Sequence, residues 1–177
     1  MTESKHSYKD RKYEVVPYDP KWPNQFEEYK IKLENIFGGV QIEHIGSTSI
    51  TGMSGKSCID VLVIVNDLKT VEDYIINMEQ AGFEYAGQLV MDNSRLFRVI
   101  KENILLANIH FFPVGHPHIK EMLDLRDYLR SHPKEVGAYS NLKDELYSKY
   151  QNDYASYRKL KDEYMKGLVE RVAKASL

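Results

Sequence analysis

Cysteine is nearly absent. Cys58 is the single thiol in 177 residues, so no disulfide can form within the chain, and a reducing, cytoplasmic setting is expected. No apolar run is long enough to cross a bilayer. The two longest, Val61 to Val65 and Ile104 to Phe112, are strand-sized, and Asn108 and His110 interrupt the second. The polar stretch Met1 to Arg11 lacks the apolar segment of a secretory signal, so no signal peptide and no membrane partner are expected. An excess of charge of one sign is also missing: 24 Lys and Arg stand against 26 Asp and Glu, a formal net charge of −2. That balance removes the electrostatic argument for duplex DNA as a partner. The remaining composition, 28% charged and 42% hydrophobic, is that of a globular chain and excludes disordered and collagen-like classes. A chain of this length buries one sizeable core, so one domain over residues 13–177 is expected, preceded by a frayed tail over residues 1–12.

Hydrophobic spacing predicts an α+β fold. Asp19 and Pro20 read as the start of a helix carrying Trp22, Phe26, Tyr29, Leu33, Ile36 and Phe37, which Gly38-Gly39 stops. A short strand over Val40–Ile45, a loop of glycine and hydroxyl residues, and a β-branched strand over Cys58–Val65 follow. Leu68 to Ala81 reads as one helix ending at Gly82, and Phe83–Val90 as a weaker strand. Arg95–Lys101 and Ile104–Val114, joined by Glu102-Asn103, form the pattern of a hairpin. From Pro117 onward the spacing is helical throughout, with Pro133 opening a second helix and a third carrying Tyr157, Leu160, Tyr164 and Leu168. One mixed sheet covered by helices, with a helical C-terminal portion, is the architecture these elements imply.

Side chains alternate faces along a strand, so parity assigns them. Asp60 shares a face with Cys58, Leu62 and Ile64, while Asn108 and His110 share a face of their own strand. With one of His44 or Glu43, these polar residues would line one sheet surface. A carboxylate within so apolar a strand is costly unless something pairs with it. The cluster reads as a divalent-metal or phosphate site, or as a solvated patch in which Asp60 is hydrogen-bonded by its neighbours.

The loop Gly46–Ser57 has the composition of a phosphate cradle, with glycines for close backbone approach and Ser47, Thr48, Ser49 and Lys56 as donors. It is not a Walker A loop, since a strand follows where a helix would be required. His116-Pro117-His118 lacks further ligands and reads as a polar helix start. Cys58 reads as a small buried hydrophobe. No G-x-S-x-G elbow is present for a serine hydrolase. Asp127 and Arg130 read as a solvated i,i+3 pair, which leaves Arg126 in need of a separate reason to face the sheet.

The stretch EHIGSTSITGMSGKSCIDVLVIV, with Phe97-Arg98, Asn108-Ile109-His110, LRDYLRSHP from Leu125 and YSNLKDELYSKY from Tyr139, resembles the GrpB family, an uncharacterised branch of the nucleotidyltransferase superfamily. The superfamily pattern is a Gly-Ser pair, a spacer of roughly ten residues, and two acids one residue apart on the next strand, which hold Mg²⁺ and thereby nucleotide phosphates. Here twelve residues separate Ser47 from Asp60, and the second acid's position falls on Leu62. The resemblance implies that Gly46, Ser47 and Thr48 form the phosphate-contacting turn. Lys56, Arg98, Arg126 and Lys143 would complete an anion pocket. Asp60 and His110 would be catalytic or Mg²⁺/Mn²⁺-binding positions, with His44 or Glu43 as further ligands.

Three functions follow as expectations. One is a nucleotidyltransferase-like protein that binds a nucleotide or other phosphorylated ligand, with or without a divalent metal, and transfers a nucleotidyl group. Another is a non-catalytic phosphate- or anion-binding module on a degenerate nucleotidyltransferase fold, which Leu62 favours. A third uses His110 as a general base in other chemistry.

Overall fold

The computed structural model describes residues 12–88 and 91–175. Its centre is a five-stranded mixed sheet in the order β1-β2-β5-β4-β3, built from β1 (Gln41–Ile45), β2 (Ile59–Val65), β3 (Glu84–Gly87), β4 (Arg95–Lys101) and β5 (Ile104–Pro113). Only the β2–β5 pair is parallel; the remaining pairs are antiparallel. The hairpin between β4 and β5 forms as expected, because Glu102 and Asn103 both take positive φ, 51° and 63°, matching the twist of the strands they join.

Apolar residues fill both sides of β2. Ile59, Val61, Val63 and Val65 join Ala107, Ile109 and Phe111 in the main core, which α1 (Trp22–Phe37) covers with Trp22, Phe26 and Leu33. Helix α1 begins two residues after Pro20: Asp19 Oδ1 accepts from the Lys21 amide, and Pro23 occupies the first turn, where its missing N–H costs nothing. The helix expected over Leu68 to Ala81 is two short ones, α2 (Leu68–Asp73) and α3 (Ile75–Gln80), broken where Tyr74 leaves helical geometry (φ −100°, ψ 8°). Of the expected strand after Gly82, β3 occupies Glu84–Gly87, and its far end, Leu89 and Val90, lies outside the described residues, as does most of the expected tail.

On the opposite face, Ile45, Leu62 and Phe112 pack against Ile119, Met122 and Leu123 of α4 (Pro117–Ser131). Helices α4, α5 (Pro133–Lys149) and α6 (Tyr154–Ala175) have a core of their own around Met53, Leu129, Tyr139 and Leu168. Tyr13, Tyr154 and Tyr157 tie the N-terminal segment to this helical portion, with Tyr13 Oη donating to the Tyr150 carbonyl. No helix among the described residues is long and apolar enough to cross a membrane.

Candidate functional site

A cleft of about 410 Å³ opens between the second sheet face and helices α4–α6. Its sheet side follows from strand register. Ile45 pairs with Asp60, Asp60 with Asn108, and Asn108 with Arg98, which sets an acid, an amide and a guanidinium in one row across four strands. Two residues further along the strands His110 pairs with Leu62, and its Nε2 reaches 3.6 Å from Asp60 Oδ1. Asn108 Nδ2 donates to Asp60 Oδ1 at 3.0 Å and also reaches Cys58 Sγ at 3.4 Å.

Asp60 is therefore partnered yet reachable, with its side chain 31% exposed into the cleft. Burial pushes its carboxyl up, but His110 and the Asn108 amide outweigh that, with help from Lys56, so the group is held below the ordinary carboxylate range. It stays ionised at neutral pH.

The loop side begins at Gly46 (φ 73°), after which Ser47–Ser49 make a single 3-10 turn. Ser47 faces α5, where Lys143 Nζ donates to its Oγ at 3.0 Å and also to the Ser54 carbonyl. Lys143 is only 2% exposed and lies over the Tyr139 ring. Burial, with Lys161 and Lys56 nearby against Asp144, drives its ammonium down to about 7. Lys56 Nζ donates to Tyr154 Oη at 2.6 Å, at the mouth of the same cleft.

Gly46, Ser47, Thr48, Lys56, Asp60, Arg98, His110, Arg126 and Lys143 thus line one cavity. Arg126 faces the sheet because Glu43 Oε2 accepts from it at 2.7 Å and the His44 carbonyl at 3.2 Å. Two of the expected metal ligands stand apart. His44 belongs to the other face, where it stacks on Phe26 and its Nε2 meets Thr48 Oγ1 at 2.9 Å. Burial holds that imidazole down to about 4, which is a neutral ring at physiological pH. Glu43 shares the face of Asp60 but is committed to Arg126.

The donor set does not fit the two-carboxylate metal centre of the superfamily pattern. Leu62 is fully buried among apolar side chains, and among the described residues no three His, Cys, Asp or Glu side chains gather into a metal-binding group. Sequence reasoning missed Ser54, Tyr154, Tyr157, Arg158 and Lys161, which also border or shape the cleft. Four of them lie on α6, whose periodicity marks an amphipathic helix and nothing more specific. The remaining candidates are structural. His116 caps α4 by accepting from the His118 amide, and Asp127 lies 4.0 Å from Arg130.

Several known proteins are similar to this chain. The crystal structure of GrpB from Enterococcus faecalis superposes with a TM-score of 0.86 at 30% identity, covering 92% of this chain and 99% of that one. The Cid1 poly(U) polymerase in its MgGTP-bound form aligns with a TM-score of 0.54 at 13% identity over 76% of this chain and 45% of its own, a likeness of fold alone. YqkA of Bacillus subtilis is 34% identical over 163 residues, which is 91% of this chain but 47% of YqkA, so the chain spans about half of that relative's length. The GrpB protein family profile matches residues 12–171. This chain belongs to the GrpB family.

Proposed function

We propose that the cleft binds a nucleotide or another phosphorylated small molecule. The observation that carries this reading is Lys143: a buried amine aimed at the hydroxyl of a Gly-Ser-Thr turn, in a cavity that Arg98 and Lys56 also line. Lys143 and Arg98 have no carboxylate partner among the described residues, and a desolvated cation without one is costly until an anion arrives. The turn supplies the Ser47 hydroxyl, since Thr48 Oγ1 meets His44 and Ser49 Oγ donates to the Gly46 carbonyl, and the open side of the cavity leaves room for a base or another organic group. Likeness to the fold of a nucleotide-bound polymerase supports the same ligand class.

Nucleotidyl transfer is the less supported half of the reading. Asp60 beside the Gly46-Ser47 turn favours it, whereas Leu62 removes the second carboxylate that such chemistry uses to hold metal. The binding reading is tested by thermal shift with ATP, GTP, CTP, UTP and inorganic phosphate, each with EDTA or Mn²⁺. A bound ligand at a hundred times its Kd should stabilise the fold by about 2.7 kcal/mol, and Arg98→Ala should remove the shift. If none of these compounds moves the transition under either condition, the reading is wrong.

A further inference from the structure

Among the described residues Lys143 is the one buried lysine or arginine, and no carboxylate pairs with it. Its contacts are the Ser47 hydroxyl, the Ser54 carbonyl and the Tyr139 ring. The charged groups around it come from three directions. Lys56 stands on the loop, Lys161 and Asp162 on α6, and Asp144 on its own helix. Asp162 is taken up by Lys161 at 2.8 Å and Arg158 at 3.3 Å, and Asp144 Oδ2 by Ser54 Oγ at 3.4 Å. Meanwhile the carboxylates a divalent ion would need are reduced to Asp60, already held by Asn108 and His110.

We propose that this cleft takes its phosphorylated ligand without a divalent metal, the Lys143 ammonium standing where the ion's charge would act, and that binding draws one proton onto Lys143. The inference rests on the binding reading above and specifies how the ligand's charge is met. The balance is simple: a neutral amine, a proton and an anion become an ammonium paired with that anion.

Hydrogen-bond directions give this a structural consequence. A neutral Lys143 still donates to the Ser54 carbonyl, but its lone pair can also accept the Ser47 hydroxyl hydrogen, the reverse of the donation that a charged amine makes to Ser47 Oγ. Protonated, it has no lone pair and must donate to Ser47 Oγ instead, which turns the hydroxyl hydrogen outward. One proton thus frees one further donor for the ligand, the O–H of Ser47, beside the N–H that Lys143 can offer in either state. The depressed proton affinity of Lys143, about 7, agrees with an amine that is largely neutral in the empty cleft above that pH.

The experiment is calorimetric titration of the intact chain with ATP at about pH 8.5, in EDTA or in Mn²⁺, repeated in buffers of different ionisation enthalpy. The expected result is an affinity in EDTA within about threefold of that in Mn²⁺, with close to one proton taken up per ATP. Affinity should also weaken by about tenfold for each pH unit above 7. Lys143→Met should abolish the proton uptake; its melting transition and ATP affinity, measured alongside, separate this from loss of the fold. Binding that requires Mn²⁺, or that takes up no proton in the unsubstituted chain, overturns the inference and leaves the binding reading intact. No binding under any condition overturns both.

Discussion

A Cβ on Gly46 would stand 2.6 Å from Asp60 Oδ2. The end of β1 and the acid on β2 are pressed together because Ile45 and Asp60 are register partners, so the turn must leave the sheet at that point. Gly46 does so with φ 73° and ψ −175°, a region open essentially to glycine alone. The turn that presents Ser47 and the carboxylate beneath it are therefore one unit.

Gly46→Ala should break that unit. Strained backbone conformation and the clash with Asp60 together should cost about 2–4 kcal/mol, read as a lowered midpoint in urea denaturation. Any nucleotide-induced thermal shift should vanish with it. A variant with unchanged stability would show that the turn can relax away from Asp60.

Leu62→Asp restores the acid pair of the nucleotidyltransferase pattern on paper. In this fold it should destabilise the chain by about 3–5 kcal/mol, because Leu62 is fully buried between Ile45, Phe112 and α4. Leu62→Met, which conserves volume, should cost less than about 1.5 kcal/mol. The comparison of the two midpoints, with and without Mn²⁺, checks whether the position is core or latent ligand.

Stability should depend on pH at two buried groups. His44 titrates near 4 in the fold but near 6.5 when unfolded, so the unfolded state binds more protons between those values. Stability should fall as pH drops from about 6.5 to about 4, by roughly 3 kcal/mol, and His44→Gln should flatten that limb. Lys143 has the same sign at higher pH: neutral above about 7 in the fold and protonated up to its ordinary 10.5 when unfolded, it should make the empty protein more stable as pH rises through that window. Above about pH 10 the gain reverses, because burial raises Tyr13 to about 12 and Tyr157 further, and these phenols ionise first in the unfolded chain. Melting curves across the range, with Lys143→Met alongside, separate the contributions.

Much of the site was legible beforehand, for a definite reason. A strand period of two is rigid, so Asp60, Asn108 and His110 had to share faces on their own strands once those strands were recognised. Which strands become neighbours is a matter of long-range pairing, and only the β2–β5 register brings Asn108 and His110 beside Asp60. Parity also placed His44 and Glu43 on opposite faces, but it could not say which of the two looks toward Asp60. The β1–β2 register decides this for Glu43 and leaves His44 under Phe26. Arg126 illustrates the converse: its direction is set by Glu43, 83 residues earlier, and nothing local to its helix announces it.

The amino-acid order alone determined most of the elements, the hydroxyl-rich turn before β2, the family and the leucine at position 62, because all of these are local patterns. The tertiary structure decided the charge economy of the cleft. Lys143 becomes a desolvated amine only because α5 packs its side chain against the Ser47–Ser54 loop, roughly ninety residues away in sequence. Solvation is a property of the packed neighbourhood, and a lysine's position in a helix does not reveal whether water or protein surrounds its nitrogen.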